Sequence, residues 1–154
     1  MIEQCQIARA AEFESLSDLR DFIKAACAEH AHIDEQTCYD MQLAVDEACT
    51  NIITHGYAGM NPGTMILAME IYDEQVRLTI TDFGHPFEPC EPPAPDLQAV
   101  MDGQEESGFG LFFIYQTMDD IQYQTSEAGN QLVFTKMLVP APGSQMKENE
   151  SHAD

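Results

Sequence analysis

Apolar residues recur along this chain with two different spacings, and the switches between them divide it into elements. Residues 2–10 alternate loosely, the period-two signature of a strand. Leu16, Leu19, Phe22, Ile23 and Ala26 then fall three and four apart, which predicts an amphipathic helix with Ser15 or Ser17 as its cap. Residues 30–33 form a connection, and Asp34 suits the cap of a second helix running to Gly56, a natural stop. The stripe of that helix is Cys38, Met41, Val45, Ala48 and Ile52. Asn61-Pro62-Gly63 is turn chemistry. Met65, Leu67, Met69 and Ile71 alternate, as do Val76, Leu78 and Ile80, and the short Asp73-Glu74 turn between them predicts a hairpin ending at Asp82-Phe83-Gly84.

The regular patterns then stop. Residues 85–107 carry Pro86, Pro89, Pro92, Pro93 and Pro95 with no hydrophobic period, the composition of a lid over a site. Gly108-Phe109-Gly110 opens a third helix, Leu111 to Met118, apolar on nearly every side. Ile121, Tyr123 and Thr125 predict a strand, and Ala128-Gly129-Asn130 turns the chain into a last strand around Leu132, Phe134 and Leu138. Runs of strands with helices between them predict an α/β two-layer sandwich, with helices on one face of a mixed, largely antiparallel sheet. The expected organisation is one domain over residues 1–139 and a disordered polar tail over 140–154, where Pro, Gly, Ser and charge dominate.

Charge changes the picture of partners. The 154 residues hold 27 acidic against 6 basic side chains, a formal net charge of −21. Such a surface cannot replace the counterions around phosphates, so direct contact with nucleic acid is not expected. It suits a basic protein partner, or simply solubility. The cysteines, at 5, 27, 38, 49 and 90, are odd in number with no C-x-x-C pair, and residues 1–5 do not begin a signal peptide. Free thiols in a reducing cytoplasm are therefore expected, with Cys27, Cys38 and Cys49 as small core residues. No apolar run approaches the ~20 residues needed to span a bilayer. His30-x-His32 has ligand chemistry but no second cluster to complete a structural metal site.

Three motifs carry candidate chemistry. In Asp46-Glu47-Ala48-Cys49-Thr50-Asn51-Ile52-Ile53-Thr54-His55-Gly56-Tyr57, helical spacing sets the Glu47 carboxylate and the Asn51 amide one turn apart, beside the apolar stripe. One can take a proton; the other can offer oxygen to a hard cation. Taken alone, the pair reads equally as a solvated helix face. Asp82 closes a strand, where a carboxylate can accept from the exocyclic amine of a base, and Gly84 lets backbone approach a planar ring. Asp82-Phe83-Gly84 imitates a motif of eukaryotic-type protein kinases, but neither the glycine-rich loop nor the catalytic-loop signature precedes it. Ser107-Gly108-Phe109-Gly110 leads into a helix, where N–H groups and the helix dipole favour phosphate. It is not a Walker loop, because no Gly-Lys-Ser/Thr follows.

As an ordered set, Glu47-x-x-x-Asn51, Asp82-x-Gly84, the long proline-rich segment and Gly108-x-Gly110 resemble the GHKL (histidine-kinase-like) ATPase superfamily. The closer resemblance is to the bacterial anti-sigma-factor serine/threonine kinases. It is carried by residues 46–57, by Asp82-Phe83-Gly84-His85-Pro86-Phe87-Glu88-Pro89, and by Gly108-Phe109-Gly110-Leu111 with Met118-Asp119-Asp120, over roughly residues 5–139. The resemblance implies the Bergerat form of the sandwich, with ATP and Mg²⁺ as ligands. It implies Glu47 as the catalytic base that orients an acceptor serine hydroxyl, and Asn51 as the residue holding the metal against the phosphates. Asp82 would read the adenine amine, Gly84 would underlie the ring, and Ser107, Gly108, Phe109 and Gly110 would line the phosphates. Two departures stand out: Glu105-Glu106 occupy the place of a frequent basic residue, and Asn130-Gln131 that of a Thr near the base. The implied partners are a sigma factor and an anti-sigma antagonist, with no direct nucleic acid and no membrane, and the resemblance admits a homodimer. The implied function is a serine protein kinase phosphorylating an anti-sigma antagonist. The alternative is a slow or non-catalytic ATP-binding module that sequesters a sigma factor or other basic regulator.

Overall fold

The alternating runs become the middle of a five-stranded sheet. The computed structural model describes residues 1–86 and 114–138. Strands β1 (Glu3–Ala10), β2 (Thr64–Ile71), β3 (Gln75–Asp82), β4 (Asp120–Ser126) and β5 (Gly129–Met137) lie in the order β1-β2-β3-β5-β4. All four pairings are antiparallel, so the largely antiparallel sheet expected from sequence is wholly antiparallel among the described residues. Met65, Leu67, Met69 and Ile71 on β2, and Val76, Leu78 and Ile80 on β3, all point to one buried face, as their period-two spacing requires. Gly129 turns β4 into β5 with a φ of +115°, a conformation that L side chains rarely adopt.

Helices α1 (Leu16–Ala28) and α2 (Glu35–Asn51) cover that face. Leu19, Ile23 and Ala26 of α1 and Met41, Val45 and Ala48 of α2 are buried there against the strands, the positions their spacing selects. Cys38 and Ile52 complete the α2 stripe as half-buried residues at its edges. Asp34 caps α2 as expected, its carboxylate accepting from the Thr37 N–H at 2.7 Å. Neither serine caps α1. A single 3₁₀ turn, Phe13–Ser15, precedes it, so Ser15 already has helical backbone angles and its side chain makes no cap bond. Ser17 lies inside the helix, its hydroxyl directed at the Glu14 carbonyl at 3.5 Å.

The second helix does run to Gly56, but not as an α-helix throughout. After Asn51 the chain widens into a π-turn, Ile52–Gly56, closed by a bond from the Tyr57 N–H to the Ile52 carbonyl at 3.1 Å. Residues 114–117 are helical, in the last part of the predicted third helix, with Ile114 and Met118 buried. The start of that helix, most of the expected lid, Ser107-Gly108-Phe109-Gly110 and the tail beyond 138 lie outside the described residues. No described helix is long and apolar enough to cross a membrane.

Candidate functional site

Sheet register decides which polar side chains meet at the end of the core. Asp82 is opposite Met65 on one side and Asn130 on the other, and Asn130 is opposite Thr125. These four therefore form one row across the buried face. The next rows inward, such as Leu67, Ile80, Leu132 and Tyr123, are apolar or aromatic. The polar row thus closes the hydrophobic core at the end where the π-turn packs.

Its hydrogen bonds are dense. Asp82 Oδ1 accepts from the Gly84 N–H at 2.9 Å and from Asn130 Nδ2 at 3.1 Å. The same amide nitrogen donates to the Gly84 carbonyl at 3.0 Å, and Asn130 Oδ1 accepts from the Thr125 hydroxyl at 2.7 Å. Asp82 is 7% exposed and Asn130 is 4% exposed, and no buried side-chain polar atom among the described residues lacks a partner. Tyr57 links this end of β3 to the next turn. Its hydroxyl accepts from the Phe83 N–H and donates to the Thr64 carbonyl, both at 2.9 Å.

The π-turn is stitched to the same place. The His85 N–H donates to the Gly56 carbonyl at 2.6 Å, and the His85 ring donates to the Ala58 carbonyl at 3.1 Å. Gly84 lies so close to the Gly56 carbonyl group that a Cβ there would overlap it. Glycine at 84 thus has a packing cause, separate from any ring it might face.

A cleft of about 540 Å³, part of it open to solvent, lies between these elements. Asn51, Gly56, Asp82 and His85 give it a polar rim, and Ala48, Ile52, Ile114, Leu132 and Phe134 give it apolar walls. Asn51 and Asp82, which are 31 positions apart in sequence (82 − 51), therefore line one cavity. Gly84 adjoins it through its bonds to Asp82 and Asn130. Glu47 does not line it. Glu47 is half-buried one helical turn before Asn51, and no hydrogen bond engages its carboxylate among the described residues. Burial, and secondly the neighbouring Asp46 charge, push its pKa above the ordinary glutamate range. Asp46 itself pairs with Arg20 of α1 at 2.7 Å.

The donor set suits a purine nucleotide and a hard cation: flat apolar walls, a carboxylate at the closed end and an amide oxygen at the rim. Cys49, buried beneath, has its thiol pushed up to about 12 by burial and then by the Asp46 and Asp82 charges, so it is an inert core residue. Cys27 is likewise buried, with its thiol pKa raised by burial and by Cys38. Away from the cleft, the structure brings Glu3 and Glu29 beside His30, their ligand atoms all within 4.8 Å of one another. The linear spacing around His30-x-His32 had offered no such cluster. His30 already donates to Glu3 at 2.7 Å, and His32 faces the Tyr72 carbonyl at 3.0 Å.

Sequence spacing found Glu47, Asn51 and Asp82 because each marks a local feature, a helical repeat or a strand end. It marked Asn130 only as a departure from a family pattern. The signal that would have drawn Asn130 in is register: a hairpin turn at Ala128-Gly129 forces residue 130 opposite Asp82.

Comparison with known proteins agrees with this geometry. The Histidine kinase-like ATPase domain family matches residues 9–136. Among curated relatives, the serine-protein kinase RsbW of Halalkalibacterium halodurans is 33% identical over 104 residues, 64% of this chain and 62% of that protein. The serine/threonine-protein kinase BtrW of Bordetella bronchiseptica is 28% identical over 102 residues, 66% of this chain and 72% of that protein. The chain thus spans a little under two thirds of the length of the RsbW relatives it matches. Among solved structures, the histidine kinase domain of the blue-light activated histidine kinase from Erythrobacter litoralis EL346 superposes with a TM-score of 0.50 at 17% identity, covering 82% of this chain and 60% of that one. That likeness supports the fold: helices on one side of an antiparallel sheet. With its matched span reaching from β1 to the end of β5, the chain belongs to the histidine kinase-like ATPase domain family.

Proposed function

We propose that this protein is an ATP-dependent protein serine kinase whose acceptor is a small anti-sigma antagonist. The observation that carries the proposal is the shared cleft: Asn51 and Asp82 line it together, with Glu47 one turn away on the same helix. Asp82 would accept from the adenine amine, and the apolar walls would take the faces of the ring. Asn51 would hold Mg²⁺, which when bound neutralises phosphate charge. Ser107, Gly108, Phe109 and Gly110 would line the phosphates. Glu47 would take the proton of the acceptor serine as its oxygen bonds to the γ-phosphorus. The bond from that phosphorus to the β-phosphate oxygen breaks, and ADP leaves. A raised pKa suits Glu47 to this role, since a stronger base takes the proton more readily. Catalysis of this kind rests on positioning and charge more than on covalent chemistry. The decisive experiment is transfer of labelled γ-phosphate from ATP to a candidate antagonist encoded beside this gene. A phosphoserine on the antagonist is expected; none under saturating Mg-ATP overturns the kinase reading.

One observation favours a second reading. No Lys or Arg occurs between Leu78 and Thr135, so the stretch that includes the expected phosphate loop brings no cation of its own. Loss of a transition-state cation costs about 10³–10⁵ in rate in related systems. On this reading the protein binds ATP and sequesters a basic regulator such as a sigma factor, with slow transfer or none. A stable ATP-dependent complex without phosphate transfer would favour it.

A further inference from the structure

The Asp82 carboxylate is asymmetric. Oδ1 holds two donated hydrogen bonds, and Oδ2 makes none among the described residues, although Asp82 lines the cleft. What fixes this asymmetry is Asn130. Its amide nitrogen spends one N–H on Asp82 Oδ1 and the other on the Gly84 carbonyl. Its own carbonyl is committed to the Thr125 hydroxyl at 2.7 Å. Only this orientation works. Rotating the amide by a half turn would set its oxygen against two acceptors, the Asp82 carboxylate and the Gly84 carbonyl, and its NH₂ against the Thr125 oxygen. Thr125 therefore locks Asn130, and Asn130 locks Asp82 and the backbone of Gly84 together. All three side chains come from different strands, set in one row by register.

We infer that Asn130 is the positioning residue for base selection. By occupying Asp82 Oδ1 and tying down Gly84, it leaves Oδ2 as a fixed, bare acceptor facing the cleft, complementary to the exocyclic amine of a 6-aminopurine and repelled by the 6-oxo group of guanine. This rests on the reading of Asp82 as the acceptor for adenine. It goes beyond that reading in assigning selectivity to a residue that does not itself touch the amine. A carboxylate free to rotate could turn Oδ1 or Oδ2 to the cleft or admit water between itself and the ligand. A carboxylate held by a neutral donor keeps both its charge and its direction, so a ligand without the amine leaves it unpaired.

The test compares two ligands that differ only at the purine 6-position: ATP and purine riboside 5′-triphosphate, which has hydrogen in place of the amine. Affinities of the full chain for both are measured by calorimetry, with GTP as a third ligand. The unaltered protein should prefer ATP over the purine analogue by at least about tenfold, the scale of a hydrogen bond to a charged group. Asn130→Ala should cut that preference about tenfold by weakening ATP alone, leaving affinity for the analogue within twofold. Thr125→Val, at an exposed position, should cut it in the same direction by about threefold, and it serves if Asn130→Ala does not fold. Asp82→Asn is the control for the reading beneath. If Asp82→Asn lowers the preference while Asn130→Ala and Thr125→Val leave it intact, the positioning role is overturned and the Asp82 reading stands. If none of the three changes it, both are overturned. Equal weakening of ATP and the analogue by Asn130→Ala and by Thr125→Val assigns Asn130 a merely structural role and also overturns the inference.

Discussion

Asn51 and Glu47 sit one turn apart on α2, yet their surroundings assign them different tasks, and this can be separated by experiment. Asn51 lines the cleft and Glu47 does not. Asn51→Ala should abolish Mg²⁺-dependent nucleotide binding, whereas Glu47→Gln should bind ATP normally and transfer nothing. Calorimetry in which both variants lose ATP affinity alike would contradict this division. The pKa of Glu47 adds a pH signature. Burial and the adjacent Asp46 raise it, so transfer should fall on acidification with a midpoint above the ordinary glutamate range, and Asp46→Asn should lower that midpoint. The same shift bears on stability. A carboxyl whose folded pKa is raised binds protons more tightly when folded, so its ionisation costs stability as pH rises through that value. Glu47→Gln should therefore melt at a higher temperature than the unaltered protein at neutral pH while losing activity, and a lower melting temperature would argue against burial as the cause.

At the scale of elements, much was legible and the exceptions have identifiable causes. Strands β2 and β3 followed from strict alternation, and the cap at Asp34 followed from its place before the α2 stripe. Asp34→Ala should cost about 1 kcal/mol in urea denaturation, the usual worth of such a cap. Hydrogen bonding to Thr37 lowers the Asp34 pKa, so the contribution of this carboxylate is present above the unfolded value and is lost as pH falls through the folded one. The missed features were non-local or backbone-based. Ser15 fails as a cap because a 3₁₀ turn precedes it, and residue type does not distinguish a 3₁₀ turn from a loop. Asn130 depends on pairing with a strand 48 positions away (130 − 82), which no local pattern encodes. Gly84 was read as making room for a ring, whereas its space is already taken by the Gly56 carbonyl group. Gly84→Ala should thus destabilise the apo-protein by about 1–3 kcal/mol, because backbone rather than a flexible side chain must yield. A variant that folds as stably as the unaltered protein would remove this packing argument.

On the scale of the molecule, the dominant fact is a net charge of −21 carried by 154 residues. Association with a basic regulator should be steered by that field. The on-rate should fall steeply as added salt shortens the Debye length from ~10 Å at 0.1 M to ~3 Å at 1 M, while the off-rate changes far less. Stopped-flow measurement across this range checks it, and a flat on-rate would reduce the acidity to a solubility feature. The charge also bears on the phosphate end of the site. With no Lys or Arg between Leu78 and Thr135, a basic partner docked near the cleft would add the sign of charge that this stretch lacks, coupling recognition to rate.

The π-turn at Ile52–Gly56 holds one residue more than an α-helical path would need. That surplus is a stored length of chain. Deleting a single residue such as Thr54 would let the segment relax into ordinary α-helix without opening a gap. Everything after it would then swing by roughly 100° about the helix axis. The Gly56 carbonyl would leave His85, the Tyr57 hydroxyl would leave Phe83, and the end of β3 would lose its moorings to α2. A helix that looks improved would thus leave the cleft unassembled, so relatives that align here with a one-residue gap should be read as differing in the site rather than in a loop.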